Sequence, residues 1–216
     1  MLTPNENIIP ITYASGTGGN FLCHFIVSAT RKYNIPLRLS ENGNAHLGLK
    51  DINGSSLGTA ESDINKIEYL LNTPPNPGSV KPYYTLAHIS DINLVNTYFK
   101  KSIRITYDLS DTEELTYVYF GKRFTDDSKK ENVIHNTISS SRLHVHRWLR
   151  KFNKLDMPNV LFISWKELYK GDPEELILKI SKFTHIDTIK FSVDDLIKWR
   201  NATNKCIETF EKSEIT

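Results

Sequence analysis

The sequence predicts an α/β fold in which a central parallel sheet carries helices on both faces, and three observations predict it. Short β-branched and aromatic runs alternate with longer stretches at helical spacing, the order produced by parallel strands joined through crossover helices. A glycine-rich turn, Gly16, Gly18 and Gly19, joins the first apolar run to the first amphipathic stretch. A well-marked helix start at Asp172-Pro173 follows the most apolar run of the second half, Val160-Leu161-Phe162-Ile163.

Ile8, Ile9, Ile11 and Tyr13 make the first run a strand. Phe21, Leu22, Phe25, Ile26 and Ala29 recur at the spacing of one buried helical face, so the following helix packs back onto the sheet that the strand enters. Between them, Ala14 to Asn20 are small residues. Glycine at Gly16, Gly18 and Gly19 lets the backbone approach a ligand closely or take positive φ. Consecutive N–H groups ahead of a helix N-terminus suit a phosphate or sulfate group. The alternative is a tight connection with no ligand; the position directly between strand and amphipathic helix favours the anion site. The turn is not a Walker A loop, because Gly18-Gly19-Asn20-Phe21 stands where that pattern ends in Gly-Lys-Ser/Thr.

Asn34-Ile35-Pro36 interrupts the helical pattern, and Ser40 to Thr59, rich in Gly, Asn and Ser, reads as a loop over the ligand edge with His46 solvated within it. Ile64, Ile67, Leu70 and Leu71 give a helical stripe that stops at the proline-rich turn 72–78. Tyr83 to His88 reads as the second strand, Asp91 to Phe99 as a brief helix, and Ser102 to Tyr107 as the third strand, after which Asp111 begins another helix. Lys122 to Glu131 is a mixed-charge loop, and a helical region covers about Val133 to Phe152. Asp172 at the cap, Pro173 at the first helical position and Glu175 three residues after the cap then start a helix that buries Leu176, Ile180 and Phe183. A final helix runs from about Val193 to Phe210. Ligands of such sheets bind at the carboxyl ends of the strands, where Ser15, His88 and Tyr107 fall.

The 216 residues suit one domain, 1–216, and a hydrophobic share of 39% fits an ordinary buried core. Lys and Arg number 27 against 25 acidic residues, a net charge of +2, too balanced for general nucleic-acid or membrane binding. Two cysteines, Cys23 and Cys206, cannot make a disulfide framework and fit a reducing compartment. With no export signal or membrane-length apolar run, the expectation is a soluble, cytoplasmic protein. His144 and His146 are two apart on a helical stretch and so point to different sides, which argues against a shared metal, and His24 and His135 are isolated. Trp148 and Trp199 read as core or rim residues.

Ser15-Gly16-Thr17 directly after a strand resembles the phosphosulfate loop of the P-loop sulfotransferases, whose pattern is roughly Pro-Lys-Ser-Gly-Thr-Thr-Trp. Tyr13-Ala14 stand where that family has Pro-Lys, and Gly18-Gly19-Asn20 follow the Thr. The segment Ser164-Trp165-Lys166-Glu167-Leu168 with Asp172-Pro173 is similar to the family's late strand and helix start. The resemblance implies a single P-loop-type domain that uses 3'-phosphoadenosine 5'-phosphosulfate as co-substrate without a metal, and a small-molecule or glycan acceptor. It further implies that Ser15, Gly16, Thr17, Gly18, Gly19 and Asn20 bind the donor and that His88, after Ala87, takes the proton from the acceptor hydroxyl. Where the family has a strand-end Arg and a helical Ser for the donor's 3'-phosphate, this chain has Tyr107 and Thr112 or Thr116, with Arg104, Lys122 or Arg123 able to compensate. The family Lys contacts the transferring sulfate, and Ala14 in its place bears on rate rather than on fold. Two rival readings stay open: a P-loop kinase or hydrolase with Asp108 beside magnesium, and a binding module that keeps the fold without the chemistry.

Overall fold

The computed structural model describes residues 8–13, 17–30, 38–39, 45–46, 83–87, 95, 97–111, 114–115 and 159–214. Strand β1 (Ile8–Thr12) leads to helix α1 (Gly19–Thr30); then come β2 (Arg38–Leu39), β3 (Ala45–His46), β4 (Tyr83–Ala87) and β5 (Ser102–Thr106). After β6 (Val160–Ser164) the chain is helical: α2 (Trp165–Lys170), α3 (Pro173–Thr184) and α4 (Val193–Glu214). The main sheet is four-stranded in the order β4-β1-β5-β6. All its pairings are parallel, with Thr12 level with Ala87 on one side and Arg104 on the other, and Thr106 level with Ser164.

The two faces of this sheet differ in chemistry. Paired residues of parallel strands share a face and alternate along each strand. Ile9 and Ile11, Ile103 and Ile105, and Ile163 therefore share one face, and they belong to the buried hydrophobic core together with Tyr13, Tyr107 and Trp165, which follow the strand ends. Thr12, Ser102 and Arg104 lie on the other face and are buried as well. With both faces of β1 and β5 enclosed, the strands meet the condition under which parallel sheets are stable.

Helix α1 supplies Phe21, Leu22, Phe25, Ile26 and Ala29 to the core as the spacing predicts, and Cys23, His24 and Val27 are buried too. The additional burial has a cause: α1 contacts β1, β4 and α4, and also β3 of the small antiparallel ribbon β2–β3. That ribbon corrects the expectation of a loop over Ser40 to Thr59 at Ala45 and His46 alone, which pair with Leu39 and Arg38; residues 40–44 and 47–59 lie outside the described residues. Two-residue strands are too short to leave a period in the sequence. After β5, Asp111 closes a 3-10 turn, Leu109–Asp111, while Glu114 and Leu115 are helical, so the expected helix is present at those two residues and only the place of Asp111 is corrected. Its buried carboxylate accepts the Asp108 N–H at 2.9 Å and pairs with Lys166 at 2.8 Å, which favours the turn and ties it to α2.

The helix start at Asp172 forms as the sequence predicts, its carboxylate accepting from the N–H groups of Glu174 and Glu175 at 2.8 and 2.9 Å. Helix α2 has a complete capping box between Ser164 and Glu167. Its C-terminus is closed by a residue from α4: Arg200 donates to the carbonyls of Glu167, Leu168 and Gly171 at 3.1, 3.1 and 2.7 Å. The last carbonyls of a helix lack intrahelical partners, and a cation is favoured at that end of the dipole. The helical stripe at 61–71 and the region 133–152 lie outside the described residues. Among the described residues no helix is long and apolar enough to cross a membrane.

Candidate anion-binding site

The site begins with connectivity. From β1 the main sheet is entered next at β4, on one side; the chain then crosses back to β5 and continues to β6 on the other. The strand order therefore reverses at β1 and β5, and at such a switch point the carboxyl ends of adjacent strands are not covered by their own connections. The segment Thr17–Asn20 leads from the end of β1 into α1 at that position.

Local geometry at this turn is set by packing from distant parts of the chain. Gly18 has φ +86°, a conformation that costs a side-chain-bearing residue. A Cβ at Gly18 would lie 2.8 Å from Trp199 Cζ2 and 3.1 Å from Leu168 Cδ2, and one at Gly19 would fall inside the Tyr13 ring. In sequence, glycine at these positions suits ligand approach or positive φ. Positive φ is found at Gly18, and the space beside both is filled by the protein's own side chains. Trp199 is thus a core residue, stacked on Phe21 at 4.3 Å between centroids and nearly coplanar at 7°. Its role behind the turn leaves no local mark in the sequence, because it comes from the far end of the chain.

The first intrahelical bond of α1 runs from Leu22 N–H to Gly18 O at 2.9 Å, so the N–H groups of Gly19, Asn20 and Phe21 precede it. The first turn of α1 holds no acidic residue, whereas α2, α3 and α4 carry Glu167, Glu174 with Glu175, and Asp194 with Asp195 there. The positive end of the α1 dipole therefore meets no side-chain anion of its own first turn. Thr17 is buried and Asn20 exposed. The Tyr13 hydroxyl donates to Asn20 Oδ1. Burial first, and the neighbouring Cys23 second, push the Tyr13 hydroxyl up, so it stays protonated. The Cys23 thiol, wholly buried in α1, is pushed up to about 12 by desolvation and is no nucleophile at neutral pH.

Among the other residues singled out by sequence, Tyr107 follows β5 and is buried in the hydrophobic core. Arg104 lies within β5, level with Thr12 and Phe162; it is fully buried, its guanidinium 5.7 Å from the Phe162 ring centre. It is enclosed by the fold rather than displayed at the strand end, which corrects the idea that it could compensate there. Asp108 is exposed. Ala87 is level with Thr12 on the neighbouring strand, and His88 is the next residue along the chain. His88, Ser15, Gly16, Thr112 and Thr116 lie outside the described residues, as do Ala14, Lys122, Arg123 and Trp148. Among the described residues no group of three or more His, Cys, Asp or Glu side chains could hold a metal ion.

No family model and no curated protein matches the sequence. Among solved structures, mouse sulfotransferase SULT7A1 complexed with PAP is similar at 20% identity, over 94% of this chain and 66% of that one, with a TM-score of 0.42.

Proposed function

We propose that the protein moves a sulfuryl group from 3'-phosphoadenosine 5'-phosphosulfate to a hydroxyl or amine acceptor. The observation that supports this reading is the Thr17–Asn20 turn opening α1 at the point where the strand order reverses, with no acidic side chain in the helix's first turn. In this reading, backbone N–H groups across Ser15 to Asn20 hold the 5'-phosphosulfate, and Thr112 or Thr116 faces the donor's other phosphate, Tyr107 being committed to the core. The acceptor oxygen or nitrogen attacks sulfur in line. As the new bond forms, the bond from sulfur to the bridging phosphate oxygen breaks and its electrons pass to the leaving bisphosphate. His88 takes the acceptor's proton, a task for which imidazole is suited because its usual pKa of about 6.5 leaves it mostly neutral at physiological pH. Turn N–H groups stabilise the charge that develops on the departing oxygen.

Calorimetry with 3'-phosphoadenosine 5'-phosphate against magnesium-ATP tests the donor. Tighter binding of the bisphosphate is expected, and preference for magnesium-ATP would replace this reading by the P-loop kinase or hydrolase. In a transfer assay over a panel of hydroxyl and amine acceptors, His88→Ala and His88→Asn should each lower turnover about 10²- to 10⁴-fold with donor affinity unchanged. Wild-type turnover in both variants would remove His88 from the reaction. Tight bisphosphate binding with no transfer to any acceptor would leave a binding module.

A further inference from the structure

We draw no further inference here: the strongest candidate, the charged side-chain cluster of Asp111, Glu114, Lys166 and Lys170 at the carboxyl ends of β5 and β6, is closed on itself, with Lys166 paired to Asp111 at 2.8 Å and Lys170 to Glu114 at 2.7 Å, and no second feature among the described residues points to a ligand there.

Discussion

Replacing Gly18 by Ala probes how the turn is built. The first contribution is conformational: at φ +86° a residue with a Cβ is strained by about 1–2 kcal/mol. The second is steric, since the new methyl would lie 2.8 Å from Trp199 Cζ2 and 2.9 Å from its Cη2. Both atoms belong to a ring packed face to face on Phe21, so it cannot withdraw without giving up that stack. Overpacking of this kind costs about 1–3 kcal/mol. Together they give a loss of about 2–5 kcal/mol, a large part of a typical total of about 5–15 kcal/mol. Urea denaturation of four proteins separates the two: wild type, Gly18→Ala, Trp199→Phe and the double variant. Phenylalanine lacks the outer indole atoms, so in its background Gly18→Ala should cost only the conformational part, a coupling of about 1–3 kcal/mol. Coupling below about 0.5 kcal/mol would refute the steric account, and a Gly18→Ala midpoint equal to wild type would refute both parts.

Cys23 predicts a pH dependence. Its folded pKa is raised to about 12, against about 8.5 for an unfolded thiol, so its contribution is fully present below pH 8.5 and lost as pH rises towards 12. Cys23→Ala should flatten that alkaline slope in denaturation midpoints measured from pH 8 to 11; an unchanged slope refutes the assignment. Arg200→Met, which keeps the aliphatic stem but withdraws donors from the carbonyls of Glu167, Leu168 and Gly171, should destabilise by about 1.5–3 kcal/mol in the same urea assay. A loss under about 0.5 kcal/mol would mean that water replaces the guanidinium without cost.

Local chemistry made part of this molecule legible in its sequence. The runs at Ile8–Thr12, Ser102–Thr106 and Val160–Ser164 are strands because β-branched residues favour a pleated, buried backbone. Asp172-Pro173 starts a helix because a carboxylate within a few bonds of the first N–H groups satisfies them wherever the chain lies. The glycine turn was visible for the same reason, since positive φ at Gly18 is a local demand. What the turn packs against was not: Trp199 and Leu168 reach Gly18 from distant sequence, and no periodicity encodes which surface a buried ring will meet.

The strand order β4-β1-β5-β6 also belongs to the tertiary structure. It decides that the turn after β1 lies where the order reverses, and so gives a glycine-rich connection its place as a candidate site. Arg104 shows the same division most sharply. In sequence it is a cation between two isoleucines near a strand end; in the fold, it is fully buried, level with Thr12 and Phe162 on the face opposite the core isoleucines. Alternation assigns residues to two faces, but only assembly of the layers determines what covers each face, and with it whether a charge meets solvent or protein.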